Sequence, residues 1–121
     1  GHTPRNIGKN QSTADYIIMT GDDNYYVPSL TYELKLYTAN KPGMVYWDMI
    51  TSNWANYTWF NTRVADGFID MGCFATRNDL AKQIDLEPAC YIADHAFVIE
   101  FNKRFPRERV IKIPKILFVH N

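Results

Sequence analysis

A length of 121 residues fits one domain, 1–121, and leaves no room for a second independent core. Thirteen Lys and Arg offset thirteen Asp and Glu, so there is no charge excess of the kind that makes a nucleic-acid groove or a polybasic membrane patch. Hydrophobic residues at 46% and aromatics at 15% argue against a disordered tail, and no apolar run approaches the roughly 20 residues of a transmembrane segment.

The lead-in GHTPRNIGKNQ is polar and lacks the apolar core of a signal peptide. YIIMT, residues 16–20, predicts a short buried strand, because Tyr and Ile favour a pleated surface and charge arrives only afterwards. Gly21 permits a tight turn. Asp22 and Asp23 then stand at the strand's carboxyl end, where open α/β sheets place binding groups. A helix is predicted from about Ser29, behind Pro28, with Leu30, Leu34 and Tyr37 on one face and Gly43 past its end. GMVYWDMI reads as a strand, and TSNWANYTWFNT, residues 51–62, as an irregular aromatic loop holding one short strand. IDMGCFATR, residues 69–77, predicts a strand with Gly72 inside it, where a missing side chain admits a ligand or another backbone.

RNDLAKQI starts a short helix with Asn78 as its cap, and a longer helix is predicted from Pro88 or Ala89 to about Arg104. On that helix Asp94 shares a side with Tyr91, Val98 and Phe101, so its carboxylate needs solvent or a polar partner. The tail VIKIPKILFVHN reads as an edge strand interrupted at Pro114, then a final strand reaching His120.

Adjacent carboxylates at a strand end are hard oxygen ligands for magnesium or manganese, above all when phosphates complete the shell. The same pair also fits a solvated Asx-type turn, and turn chemistry leaves both readings open. Cys73 and Cys90 are too few for a disulfide scaffold and too far apart for a redox pair. They read as small buried hydrophobes in a reducing compartment, and a cytoplasmic setting is the expectation. There is no GxGxxG, Walker loop, HExxH or GxSxG. Lys103, Arg104, Arg107, Arg109 and Lys112 read as a solvated connection rather than a nucleic-acid surface.

Taken in order, these segments resemble the later half of a GT-A glycosyltransferase catalytic domain, closest to the inverting family-two enzymes. In that family an Arg-Asn-Gly segment and a small helix precede a strand ending in an acidic metal motif, followed by an aromatic residue and a proline. Arg5-Asn6-Ile7-Gly8, YIIM, Gly21-Asp22-Asp23-Asn24-Tyr25 and Pro28 stand here in that order, and the resemblance extends over nearly the whole chain. Set against a DxDD-like turn, Gly21 takes the place of the first acid and Asp23 that of the metal-binding acid. Asp22 falls at the variable position and replaces the missing ligand if the turn is shifted by one residue.

The resemblance implies an α/β fold, a truncated or reduced GT-A three-layer sandwich with a mixed sheet. It implies Arg5, Asp22 and Asp23 at the donor diphosphate, and Mn2+ or Mg2+ held by Asp23, Asp22 and His120. Asp70, Met71 and Gly72 would border the sugar or acceptor, with Trp47 and His95 as further contacts. ADHAF puts Asp94 where the family carries the base that deprotonates the acceptor hydroxyl, with Ala93 in place of the preceding acid.

The partners implied are a nucleoside-diphosphate sugar and a hydroxyl acceptor. Only about fifteen residues precede the acidic strand, where the family has a strand, turn and helix that hold the nucleotide. A missing N-terminal portion or a second copy in a homo-oligomer is therefore expected to complete the cleft. Two other functions fit the same residues. One is a carbohydrate-binding module stacking sugars on Trp47, Trp54 and Trp59; the other is a structural assembly domain, expected if Asp22, Asp23 and Asp94 face separate surfaces.

Overall fold

A computed structural model describes residues 2–52, 55–65, 68–87 and 90–121. The strand at 43–50 forms as predicted: β3 is Met44–Ile50, and Met44, Val45 and Trp47 are wholly buried in it. β3 pairs antiparallel with β5, Phe74–Arg77, and parallel with β6, Val110–Val119. β1, Tyr16–Ile17, lies outside β5, and β2, Tyr25–Tyr26, pairs with the end of β6. β4, Trp59–Phe60, is the short strand expected in the aromatic loop and continues the β5 edge of β3. The order β1-β5-β3-β6-β2 therefore makes one mixed sheet.

Among the described residues four α-helices accompany it: α1, His2–Gln11; α2, Leu30–Thr38; α3, Asn78–Ala81; and α4, Ala93–Arg104. Leu30, Leu34 and Tyr37 of α2 pack on the core as their spacing predicts. α4 buries Ala93, Phe97, Val98 and Phe101, with Phe97 stacked on Phe74 at 5.7 Å between ring centroids. It begins at Ala93; Tyr91 and Ile92 stay exposed in a turn, and the predicted starting residues Pro88 and Ala89 lie outside the described residues.

α1 was not expected from the polar lead-in, and it is held by polar contacts. The Asn6 amide donates to Leu86 O at 2.8 Å and accepts from Leu86 N at 2.9 Å. Lys9, only 2% exposed, donates through Nζ to Ile84 O and to Asp85 Oδ1. A buried ammonium is tolerable only when its donors are matched in this way. Asn78 likewise serves a different purpose from the cap predicted for it: its amide donates to Ser12 O and Ala14 O, tying α3 to the segment that follows α1.

Two strand predictions change. β6 is a single ten-residue strand between β3 and β2, where an edge strand and a separate final strand were expected. Pro114 does not end it; the register slips instead, from Trp47↔Ile113 to Asp48↔Ile116, as befits a residue with no N–H to give a ladder. Gly72 lies in a 3-10 turn, Met71–Cys73, rather than inside a strand. The group that approaches it is an aromatic ring: a Cβ on Gly72 would stand 2.4 Å from Phe118 Cζ and 2.5 Å from Cε2.

Asp48, buried within β3, accepts from Thr62 N at 2.9 Å and from the Trp59 indole at 3.1 Å, and pairs with Lys112 at 2.6 Å. These bonds fix the aromatic loop to β3. Among the described residues no helix is long and apolar enough to cross a membrane.

The Gly72 contact is directly testable. Gly72→Ala should destabilise the fold by about 1–3 kcal/mol through overpacking, measured by urea unfolding. Adding Phe118→Leu should return part of that loss, and a double variant no better than the sum of the singles would refute the contact.

Candidate functional site

Five segments meet around a cavity of about 230 Å³. α1 contributes His2 and Arg5, and the turn after β1 contributes Gly21, Asp23 and Asn24. The turn before β5 supplies Asp70 and Met71, the start of α4 supplies Tyr91, Ala93 and Asp94, and the end of β6 supplies His120. A larger cleft of about 740 Å³ lies elsewhere, between the ends of α2, β1 and β5. Its guanidinium, Arg77, is already matched by Asp79, Glu108 and Lys41 O, and none of the predicted site residues lines it.

The α1 wall is ordered by a short chain of hydrogen bonds. Cys90 O can only accept, so His2 Nε2 carries the hydrogen that bonds it at 2.9 Å. His2 Nδ1 is then the acceptor for Arg5 Nη1 at 3.3 Å, and Arg5 Nη2 reaches Thr20 O at 3.5 Å. The guanidinium thus reaches the backbone just before the acidic turn.

Asn24 holds that turn. Its amide donates to Thr20 Oγ1 at 3.3 Å and accepts from Asn121 N at 3.1 Å, joining the turn to the chain just past His120. The Asp23 carboxylate folds back over Gly21, where an added Cβ would meet Oδ1 at 2.9 Å. Asp22 and Asp23 are both exposed, and only Asp23 lines the cavity.

Asp70 Oδ1 accepts from Gly72 N at 2.8 Å, and Oδ2 faces His120 Nε2 at 3.6 Å. Burial raises the Asp70 carboxyl above the ordinary carboxylate range; the Gly72 N–H and the His120 ring draw it down, and Asp94 pushes it up again. His120 is fixed through its backbone N–H to Ile50 O at 2.9 Å and by the edge of its ring against Phe118. Tyr26, whose hydroxyl donates to Gly72 O, has its own ionisation pushed up to about 12 by burial.

Asp94, half-buried, accepts through Oδ1 from His95 N at 2.9 Å. His95 stands beside it, with Nε2 4.0 Å from the same oxygen.

Of the residues predicted from sequence, Arg5, Asp23, Asp70, Met71, Asp94 and His120 come together, while Gly72 is buried behind the wall they form. Trp47 requires correction. It is 0% exposed in β3 and serves the core, so it offers no face to a sugar. Trp54 lies outside the described residues, and Trp59 is exposed with its indole bound to Asp48. Asp23 and Asp94 share one cavity, against the separate surfaces expected of an assembly domain. His2, Asn24 and Tyr91 were missed. Only the spacing of His2 and Arg5, three residues apart, could have pointed to a pair, and that spacing acquires meaning once α1 is known to be a helix.

Among the described residues no group of three or more His, Cys, Asp or Glu is arranged to hold a metal ion unaided. No family model matches the sequence, and no curated protein does. Among solved structures, the crystal structure of S. aureus TarS 1-349 matches with a TM-score of 0.76 and 12% sequence identity. The match covers 99% of this chain and 40% of that one. Identity this low speaks for fold alone, and the fold is an α/β sandwich with a mixed sheet of GT-A-like form.

The burial of Asp70 has a pH signature. A carboxyl whose pKa is raised on folding contributes stability in full below its unfolded value and loses it as pH rises through the folded one. Asp70→Asn keeps an oxygen for the Gly72 N–H and removes the buried charge. It should gain stability relative to wild type as pH rises from about 4 to about 7, measured by urea unfolding at each pH. A difference that stays flat would contradict the assignment.

Proposed function

We propose that this chain is part of a glycosyltransferase, moving a sugar from a nucleoside-diphosphate donor to a hydroxyl acceptor with inversion. One observation carries the reading: Arg5, Asp23, Asp94 and His120, from four separate segments, line a single cavity in a GT-A-like fold. TarS, whose fold the chain shares, is a glycosyltransferase, and that likeness supports a transfer reaction in general.

The donor diphosphate would lie between Arg5 and Asp23. A guanidinium is always charged and suits phosphate oxygens geometrically. The donor set of the cavity fits a hard divalent ion, since it offers carboxylate oxygens and one imidazole. Among the described residues no three such groups are arranged to hold an ion, so phosphate oxygens would complete the shell, as is usual for magnesium. Asp23 and His120 are the residues that would hold such an ion, and when bound it would supply positive charge to the departing diphosphate.

Asp94 is the base. The acceptor oxygen forms its bond to the anomeric carbon as the carbon–oxygen bond to the diphosphate breaks, and the acceptor proton passes to the Asp94 carboxylate. A single displacement inverts the anomeric centre. The tie from His95 N to Oδ1 holds the carboxylate in one orientation while the proton is taken. The chain spans 40% of the length of the solved chain it matches, and we assign the rest of the nucleotide cradle to a preceding segment or a second copy.

Calorimetry with uridine and guanosine diphosphates in manganese tests the donor site. Binding should require the metal, vanish on chelation and weaken at least about tenfold in Asp23→Ala, roughly the loss of one charge-assisted contact. No binding to either nucleotide by a folded sample would sink the proposal. Asp94→Asn should leave donor affinity intact and lower turnover by about 10²–10⁴-fold, the usual contribution of a general base.

A further inference from the structure

We infer that one row of side chains across β4, β3, β6 and β2 is a second ligand site, a neutral strip outside the cavity on which a short oligosaccharide stacks. The inference stands without the transfer reading, since it requires neither nucleotide nor metal.

Strand register places the row. Trp59 pairs with Ile50, Ile50 with Val119, and Val119 with Tyr25. Residues directly opposite one another in neighbouring strands point to the same face of a sheet, so these four side chains stand side by side. Asp48 shares that face, two residues from Ile50 in β3, and the bond it receives from the Trp59 indole agrees with the direction. The row crosses three strand spacings, about 14 Å, which is the length of a few pyranose rings laid end to end. Trp59 and Tyr25, 61% and 62% exposed, stand at its two ends, with Ile50 and Val119 half-buried between them. None of the four lines the cavity, yet Val119 and Tyr25 adjoin the cavity residues His120 and Asn24 in the chain.

The larger of the two rings is anchored. Its N–H is taken by Asp48, which is 5% exposed and held in turn by Thr62 N and Lys112. The loop before it is fastened as well, with Thr51 Oγ1 accepting from Thr58 N at 3.1 Å. What Trp59 offers to solvent is therefore a fixed apolar face, and little freedom is lost when a ring stacks on it.

Charge and size select the occupant. Lys112 is matched by Asp48, Asn61 Oδ1 and Thr62 O, and no member of the row is charged. A nucleic-acid strand stacking on the same rings would need a positive track for its phosphates, which a row of Trp, Ile, Val and Tyr does not supply. A stable protein partner needs about 800 Å² on each side, far more than four side chains present. A pyranose suits what remains: its C–H groups lie against the negative face of an aromatic ring while its hydroxyls stay in water.

Calorimetry of the wild-type chain with maltohexaose, cellohexaose and chitohexaose, in chelator and without nucleotide, tests the strip. At least one of the three should bind. Trp59→Ala and Tyr25→Ala should each weaken that binding about fivefold or more, the scale of one lost stacking contact, and saturating uridine diphosphate with manganese should not displace it. Trp59→Ala also uncouples Asp48, so if that variant fails to fold, Tyr25→Ala at the other end of the row decides the matter. A folded wild type that binds none of the three, binding that survives either substitution in a folded variant, or displacement by the nucleotide would overturn the site.

Discussion

The ring of Phe118 lies against the bare backbone of Gly72, and most of the cavity floor depends on that contact. Because Gly72 has no side chain, the turn at Met71–Cys73 can sit directly on the last part of β6. Asp70 caps that turn on one side, and His120 follows Phe118 by two residues on the other. In a strand, residues two apart share a face, so the ring that packs on Gly72 also fixes which way the imidazole points. The register slip at Pro114 matters for the same reason. Extra residues in β6 rephase its alternation before Phe118 is reached, and a strand paired without them would direct a different set of side chains at the turn.

The α1 wall is built on another principle. α1 is ten residues long, its one sizeable hydrophobe, Ile7, is exposed, and a helix of that length is marginal in isolation. Polar contacts replace apolar burial: an asparagine that reproduces a backbone pair with Leu86, and a lysine enclosed by a carbonyl and a carboxylate. Such contacts are directional where apolar packing is not, and they set the rotation of the helix that presents His2 and Arg5. Arg5 owes its position to residues that never meet the cavity.

Much of the sheet was legible in the sequence because its signals are dense. β3 is a continuous apolar and aromatic run, and α2 and α4 repeat their apolar residues at helical spacing. The acidic turn, Asp94 and His120 were found by their order along the chain, which the fold converts into proximity. α1 was missed because its pattern carries no apolar periodicity, and β6 was split because Pro114 signals an interruption that the bulge absorbs. The strand expected across Gly72 failed for a tertiary reason: the partner of that glycine lies far along the chain, at Phe118. Composition could not tell a buried tryptophan such as Trp47 from an exposed one such as Trp59. Order relative to Pro28 ranked Asp23 ahead of Asp22, and of these two adjacent exposed residues only Asp23 lines the cavity.

The enclosure of Lys9 gives the molecule a built-in chemical reporter. Acylating reagents attack the free amine, and Lys9 Nζ is shielded while α1 is docked, unlike exposed lysines such as Lys35 and Lys103. Its rate of labelling therefore measures how often α1 lifts away, a local opening that global denaturation would not resolve. The helix that carries Arg5 thus records its own attachment at a lysine that does not line the cavity.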